Sequence, residues 1–118
     1  MTDWVPWFRY QLKASADGFA WAFEQLPQAW HYRLPPSPNY MGTWPPIRHV
    51  WHVMGYERDH VIPSMQQWLG GAMPEDKPLQ DDDPAFEAAC QRGLASVIAT
   101  FLSIRQQQID ILDQLAAV

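Results

Sequence analysis

The sequence has a single cysteine, Cys90, in 118 residues. One thiol excludes an internal disulfide framework and a cysteine-based zinc site. Charge is also scarce: Asp, Glu, Lys and Arg make up 18% of the chain, below the usual share for a soluble domain. Lys and Arg number 8 against 13 Asp and Glu, a net charge of -5 with His neutral. That shortage of cations argues against a general nucleic-acid surface. No apolar run approaches the roughly 20 residues that span a bilayer. The start, MTDWVPWFRY, has an early Asp and no basic leader ahead of an apolar core, so it does not read as a signal peptide. Alternating strand patterns and dinucleotide glycine fingerprints are missing as well. These absences point to one domain over residues 1–118, all-α, in a reducing cytoplasmic setting, with no nucleic-acid or membrane partner.

What the chain does have is apolar and aromatic mass. Hydrophobic residues are 47% of the total, with seven Trp. With so little charge, either the surface is rich in Gln, Pro and aromatics, or part of it is an interface.

The chain is organised around WPPIRHVWHVMGYERDHVIPSMQQWLG, residues 44–70. Thr43 is a candidate N-cap, and Pro45 and Pro46 suit a first helical turn, where no intrahelical N–H is needed. At about 100° per residue, Ile47, Val50, Met54, Val61, Met65 and Trp68 share one broad side, with Trp51 and Leu69 at its edge. His49, His52, Tyr56 and His60 gather on a narrower side at neighbour spacings. Pro63 predicts a kink, or a helix end near Ile62 with a second short helix after it. Gly55 would permit close approach of another helix. His49 and His52 are one turn apart and suit a shared first-row metal ion, with His60 too far along a straight helix to join them. The competing reading is a polar side with histidines stacked against aromatics.

Two more helices flank this one. Residues 3–33 carry an apolar stripe of Phe8, Leu12, Ala16, Phe19, Phe23, Leu26 and Trp30, with Trp4 and Trp7 as a lead-in. Pro27 bends that helix or ends it one turn early. Asp17 and Glu24 read as solvent-side charges. Residues 34–46 form a proline-rich connector with Tyr40 and Trp44, and residues 70–83 a surface loop. Asp83 is a candidate N-cap with Pro84 at N1, which explains Asp81 to Asp83 better than calcium binding does. Residues 84–116 form the longest helix, with Phe86, Cys90, Leu94, Val97, Ile98, Phe101, Ile104, Ile109, Leu112 and Leu115 on its apolar side. Cys90 reads as a small core residue. Arg105 falls near the middle of the apolar side, where a charge needs a partner. It either snorkels outward or meets an acid, Glu57 being the candidate. These apolar sides are wider than three closed helices require, which suggests a fourth helix or a partner chain.

Three stretches carry a family resemblance. Residues 44–70, the segment QLKASADGFAWAFEQLP from Gln11, and the last helix with Arg105 resemble the second, first and third helices of the DinB-like (DinB/YfiT-type) family. Members are four-helix bundles classed as metalloenzymes. The resemblance covers almost all of the chain and implies an up-down bundle with three long helices here, the fourth missing or supplied by a partner, as in a homodimer. It also implies a divalent ion, zinc or nickel, held by a second-helix histidine that matches His52, followed by Glu57. The family's other two ligands, a histidine pair in the fourth helix, have no counterpart. The pocket candidates are His49, Tyr56, Glu57, His60 and Arg105, and no residue is assigned as catalytic. The implied activity is metal-dependent hydrolysis or thiol-dependent transfer on a small molecule of unknown identity. The alternative is a non-catalytic helical module for dimerisation or small-molecule binding.

Overall fold

A computed structural model describes residues 4–35, 43–72 and 83–117 of the chain. Five α-helical segments are present: α1 (Trp4–Glu24), α2 (Pro46–Tyr56), α3 (Ile62–Trp68), α4 (Asp83–Arg92) and α5 (Leu94–Ala116). A π-helical turn, Glu57–Val61, fuses α2 and α3 into one continuous rod, so the described residues build four helices and no strand.

The first helix is shorter than its apolar stripe predicts. It ends at Glu24, and Pro27 takes an extended conformation with φ -53° and ψ 142°. Proline has no N–H to donate and disfavours helical geometry in the residue before it. Leu26 and Trp30 therefore leave the stripe, and Trp30 sits instead in a 3₁₀ turn, Gln28–Trp30. Trp4 and Trp7 do not enter the core; both are exposed, and each meets the edge of Phe8 at 5.5 Å.

The central rod starts at Pro46 with Pro45 in the N-cap position. No side chain caps it, so the expected role of Thr43 is not met. Pro63 neither ends nor visibly breaks the rod. The preceding π turn lets the N–H of Ile62 donate to the carbonyl of Glu57, five residues back. Widening the turn in this way accommodates a residue that cannot complete an ordinary helical ladder. Ile47, Val50, Trp51 and Met54 are buried as expected, but Trp68 is 81% exposed. Gly55 serves no helix crossing: the nearest atom to a Cβ there would be Nη2 of Arg58, at 3.7 Å.

The last helix is interrupted. Gly93 adopts φ 89° and ψ 160° and separates α4 from α5. That conformation is essentially closed to residues with a side chain. The break lets α4 turn back on both α5 and α2. Among the described residues, the three expected long helices are thereby joined by a short fourth, α4, split from the start of the last one. Asp83 is the first residue of α4; Asp81, Asp82, the side chain of Asp83, and Tyr40 of the connector lie outside what is described.

α5 is the axis of the bundle; α1, α2, α3 and α4 all pack on it. The most deeply buried large side chains are Phe101 of α5 and Ile47 and Val50 of α2. Phe19 of α1 reaches the same core, its ring 5.2 Å from that of Phe101. Among the described residues, no helix is long and apolar enough to cross a membrane.

Gly93→Ala is expected to destabilise the fold by about 1–3 kcal/mol, lowering the midpoint of thermal unfolding by several degrees. Circular dichroism melting checks this; an unchanged midpoint would mean that the α4–α5 corner does not need glycine.

Candidate functional site

The residues singled out in the sequence fall into three separate groups. The first is the charged node at the centre of the bundle. Arg105 of α5 donates from Nε to Oε1 of Glu57 at 2.8 Å and from Nη2 to Oε2 at 3.2 Å. Its Nη1 donates to the Leu12 carbonyl and to Ser15 Oγ of α1, both at 2.8 Å. Gln108, one turn further along α5, donates from Nε2 to Oε1 of Glu57. Glu57 and Gln108 are buried, and the Arg105 guanidinium lies 5.4 Å from the Phe101 ring. A bidentate arginine fork matches a carboxylate closely, and both carboxylate oxygens are engaged. The node is a three-helix clamp, with its charge neutralised and its acceptors filled. It is poorly suited to general acid or base work, which requires a group within reach of a substrate proton.

The second group surrounds Trp44. The ring of His52 lies 4.9 Å from it and that of His49 5.5 Å. His52 is half-buried and His49 is exposed. The third group is a pair: Tyr56 is exposed and packs against His60 at 5.4 Å between rings. Glu57 thus brings Arg105 to itself, while His49, His52, Tyr56 and His60 each make an aromatic contact away from that node. Among the described residues, no three His, Cys, Asp or Glu side chains gather where they could hold a metal ion. His52 is a sound imidazole donor, but the described residues do not by themselves fit a zinc or nickel centre.

Other candidate charges are structural. Asp17 pairs with Lys13 on the same exposed face at 3.2 Å, and Arg58 donates to Asp59 at 2.9 and 3.0 Å. The hydrogen bond to Asp59 pushes the Arg58 pKa above its ordinary value. Burial pushes the Cys90 thiol up; the nearby Arg48 opposes this and Glu87 adds to it. A thiol held protonated is a weak nucleophile.

A cavity opens beside Trp44, where the proline-rich connector meets the bundle. It has a volume of about 330 Å³. Phe23, Leu26 and Trp30 come from the end of α1 and the following turn, Trp44 and Pro46 from the start of α2. Arg33 and His49 supply polar groups at its wall. The Arg33 guanidinium lies 4.3 Å above the Trp30 ring, which fixes a cation at the edge of an apolar surface. Two local bonds hold the walls together: His31 Nε2 donates to the Leu26 carbonyl at 3.0 Å, and the Ile47 N–H donates to the His31 carbonyl at 3.1 Å. Pro27 is the sequence signal for this groove. Ending α1 there is what frees Trp30 and Arg33 to face the start of α2.

Comparison of the chain with family models, with curated proteins and with solved structures gives no match in any of the three.

Proposed function

We propose that the chain is a DinB-like helical bundle that binds a small, largely apolar molecule bearing an acidic group, in the groove between Trp30 and Trp44. The groove carries this reading. Its volume and its apolar, aromatic walls match those of ligand sites, where a few polar groups fix orientation. Arg33, pinned on Trp30, supplies the positive charge that selects a carboxylate over an amine. No bond need be made or broken for this role, and the occupied Glu57–Arg105 node asks for none. Tryptophan fluorescence during titration with 2-naphthoate checks the reading. Trp30→Ala is expected to weaken binding about tenfold, the effect of losing roughly 1.4 kcal/mol of contact. Naphthalene-2-methylamine is expected to bind more weakly than 2-naphthoate to the natural protein, and equally to Arg33→Met. Naphthoate binding untouched by both substitutions would reject the groove as the site.

The second reading is a metal-dependent hydrolase or thiol-dependent transferase of the DinB-like type. The contact that favours it is the Glu57–Arg105 pair, which joins two of the three stretches carrying the resemblance. In this reading His52 is one donor to zinc or nickel, and the other donors come from residues outside those described or from another chain. Elemental analysis of purified protein tests it. Stoichiometric zinc or nickel that is lost in His52→Ala supports this reading, and metal content unaffected by His52→Ala removes His52 as a ligand.

A further inference from the structure

The side of α1 turned away from α5 is the least expected surface of the molecule. Toward the bundle, α1 presents Val5, Ala16 and Ala20, with Phe19 and Phe23 beside them. On the opposite side, Trp7, Tyr10 and Trp21 are 60%, 67% and 63% exposed. Ala14 and Gly18 lie between them on the same side, at helical spacings of three and four. α1 therefore has two apolar faces, while a helix at the edge of a bundle needs one. Large rings bracketing small residues leave room for another helix to approach closely. A Cβ added at Gly18 would meet nothing within 4 Å.

The order of these residues is self-complementary. In an antiparallel pair of α1 helices crossing at Ala14, residue numbers that face each other have a constant sum. Trp7 then faces Trp21 of the second copy, Tyr10 faces Gly18, and Ala14 faces Ala14. Each large ring in the middle of the contact meets a small residue, and the outer tryptophans meet each other. Charge follows the same symmetry. Lys13 and Asp17 form an ion pair at 3.2 Å along one flank of this face. In the antiparallel register Lys13 of each copy lies within one turn of Asp17 of the other, so the two pairs merge into an alternating square.

We infer that this face is an isologous homodimer interface, with a second copy of the chain as its occupant and Ala14 on the two-fold axis. The inference is independent of what the Trp30–Trp44 groove binds. Trp7, Tyr10 and Trp21, at roughly 150 Å² each, supply about 450 Å² per protomer. A standard interface buries about 800 Å² per partner. The contact is smaller than a standard interface, so the dimer is expected to form and dissociate reversibly with concentration. A depression of about 400 Å³ bordered by Tyr10 and Ala14 gives the partner's rings space to enter.

Sedimentation analysis across the micromolar range, with site-directed cross-linking, tests the interface. The natural chain is expected to shift from monomer to dimer with concentration, and Gly18→Glu to weaken that dimer at least tenfold while its helical circular dichroism stays unchanged. In a Cys90→Ser background, Ala14→Cys is expected to form an intermolecular disulfide on mild oxidation, and Gln25→Cys, away from the axis, to form little. A chain that stays monomeric up to about 0.5 mM, where a dimer of even modest affinity forms, overturns the inference. So does a dimer that Gly18→Glu leaves intact, or equal cross-linking at both cysteine positions. If the monomer persists with Trp7 and Trp21 shielded from a soluble quencher, another part of the same chain covers the face, and the inference also fails.

Discussion

The bundle depends on one buried ion pair. Glu57 and Arg105 come from helices 48 residues apart in sequence, and the guanidinium also reaches the backbone of α1. Three of the four helices therefore meet at one cation. Removing a charge of this kind from water is expensive, and only a well-formed set of hydrogen bonds offsets the cost. Here the set is nearly complete: two bonds to the carboxylate, two to α1, and one from Gln108 to Glu57. The node contributes register more than net stability. Sliding α5 by one residue along either neighbour would strand a buried charge.

Local irregularities serve that register. The π turn begins at Glu57 itself, and the extra residue it absorbs carries the rod past Pro63 without ending it. The left-handed φ of Gly93 sends α4 back onto α2, while α5 keeps Arg105 aligned with Glu57. Pro27 ends α1 early enough to leave Trp30 and Arg33 opposite the start of α2, so the same interruption that shortens a helix creates the groove.

Periodicity made much of this architecture legible. Ile47, Val50 and Met54 of the central helix and most apolar positions of α5 are buried where spacing puts them, while Trp68 is not; a charge at the middle of an apolar side left Arg105 either snorkelling or paired with an acid, and the structure has the pair. Gln108 escaped notice because a neutral amide next to Ile109 carries no such alarm, although it lies one turn from Arg105. Gly93 was hidden inside an otherwise regular helical pattern, since spacing does not report φ. The exposure of Trp7 and Trp21 was illegible for a related reason: α1 is apolar on two sides, and composition cannot tell which side faces the core. The groove was the least visible feature, because it arises where the end of α1 meets the start of α2 rather than from any spaced motif. The histidines show the reverse. Their spacing advertised a site, yet His49 and His52 rest on Trp44 and His60 on Tyr56.

Stability coupling between Glu57 and Arg105 tests the account at its centre. Urea unfolding of Glu57→Leu, Arg105→Met and the double variant gives the interaction energy directly. Each single change leaves one buried charge unpaired and is expected to cost about 3–5 kcal/mol. The double variant is expected to recover about 2 kcal/mol or more of the summed loss, because it leaves no stranded charge. Losses that simply add, to within about 0.5 kcal/mol, would contradict the claim that this pair holds the bundle in register.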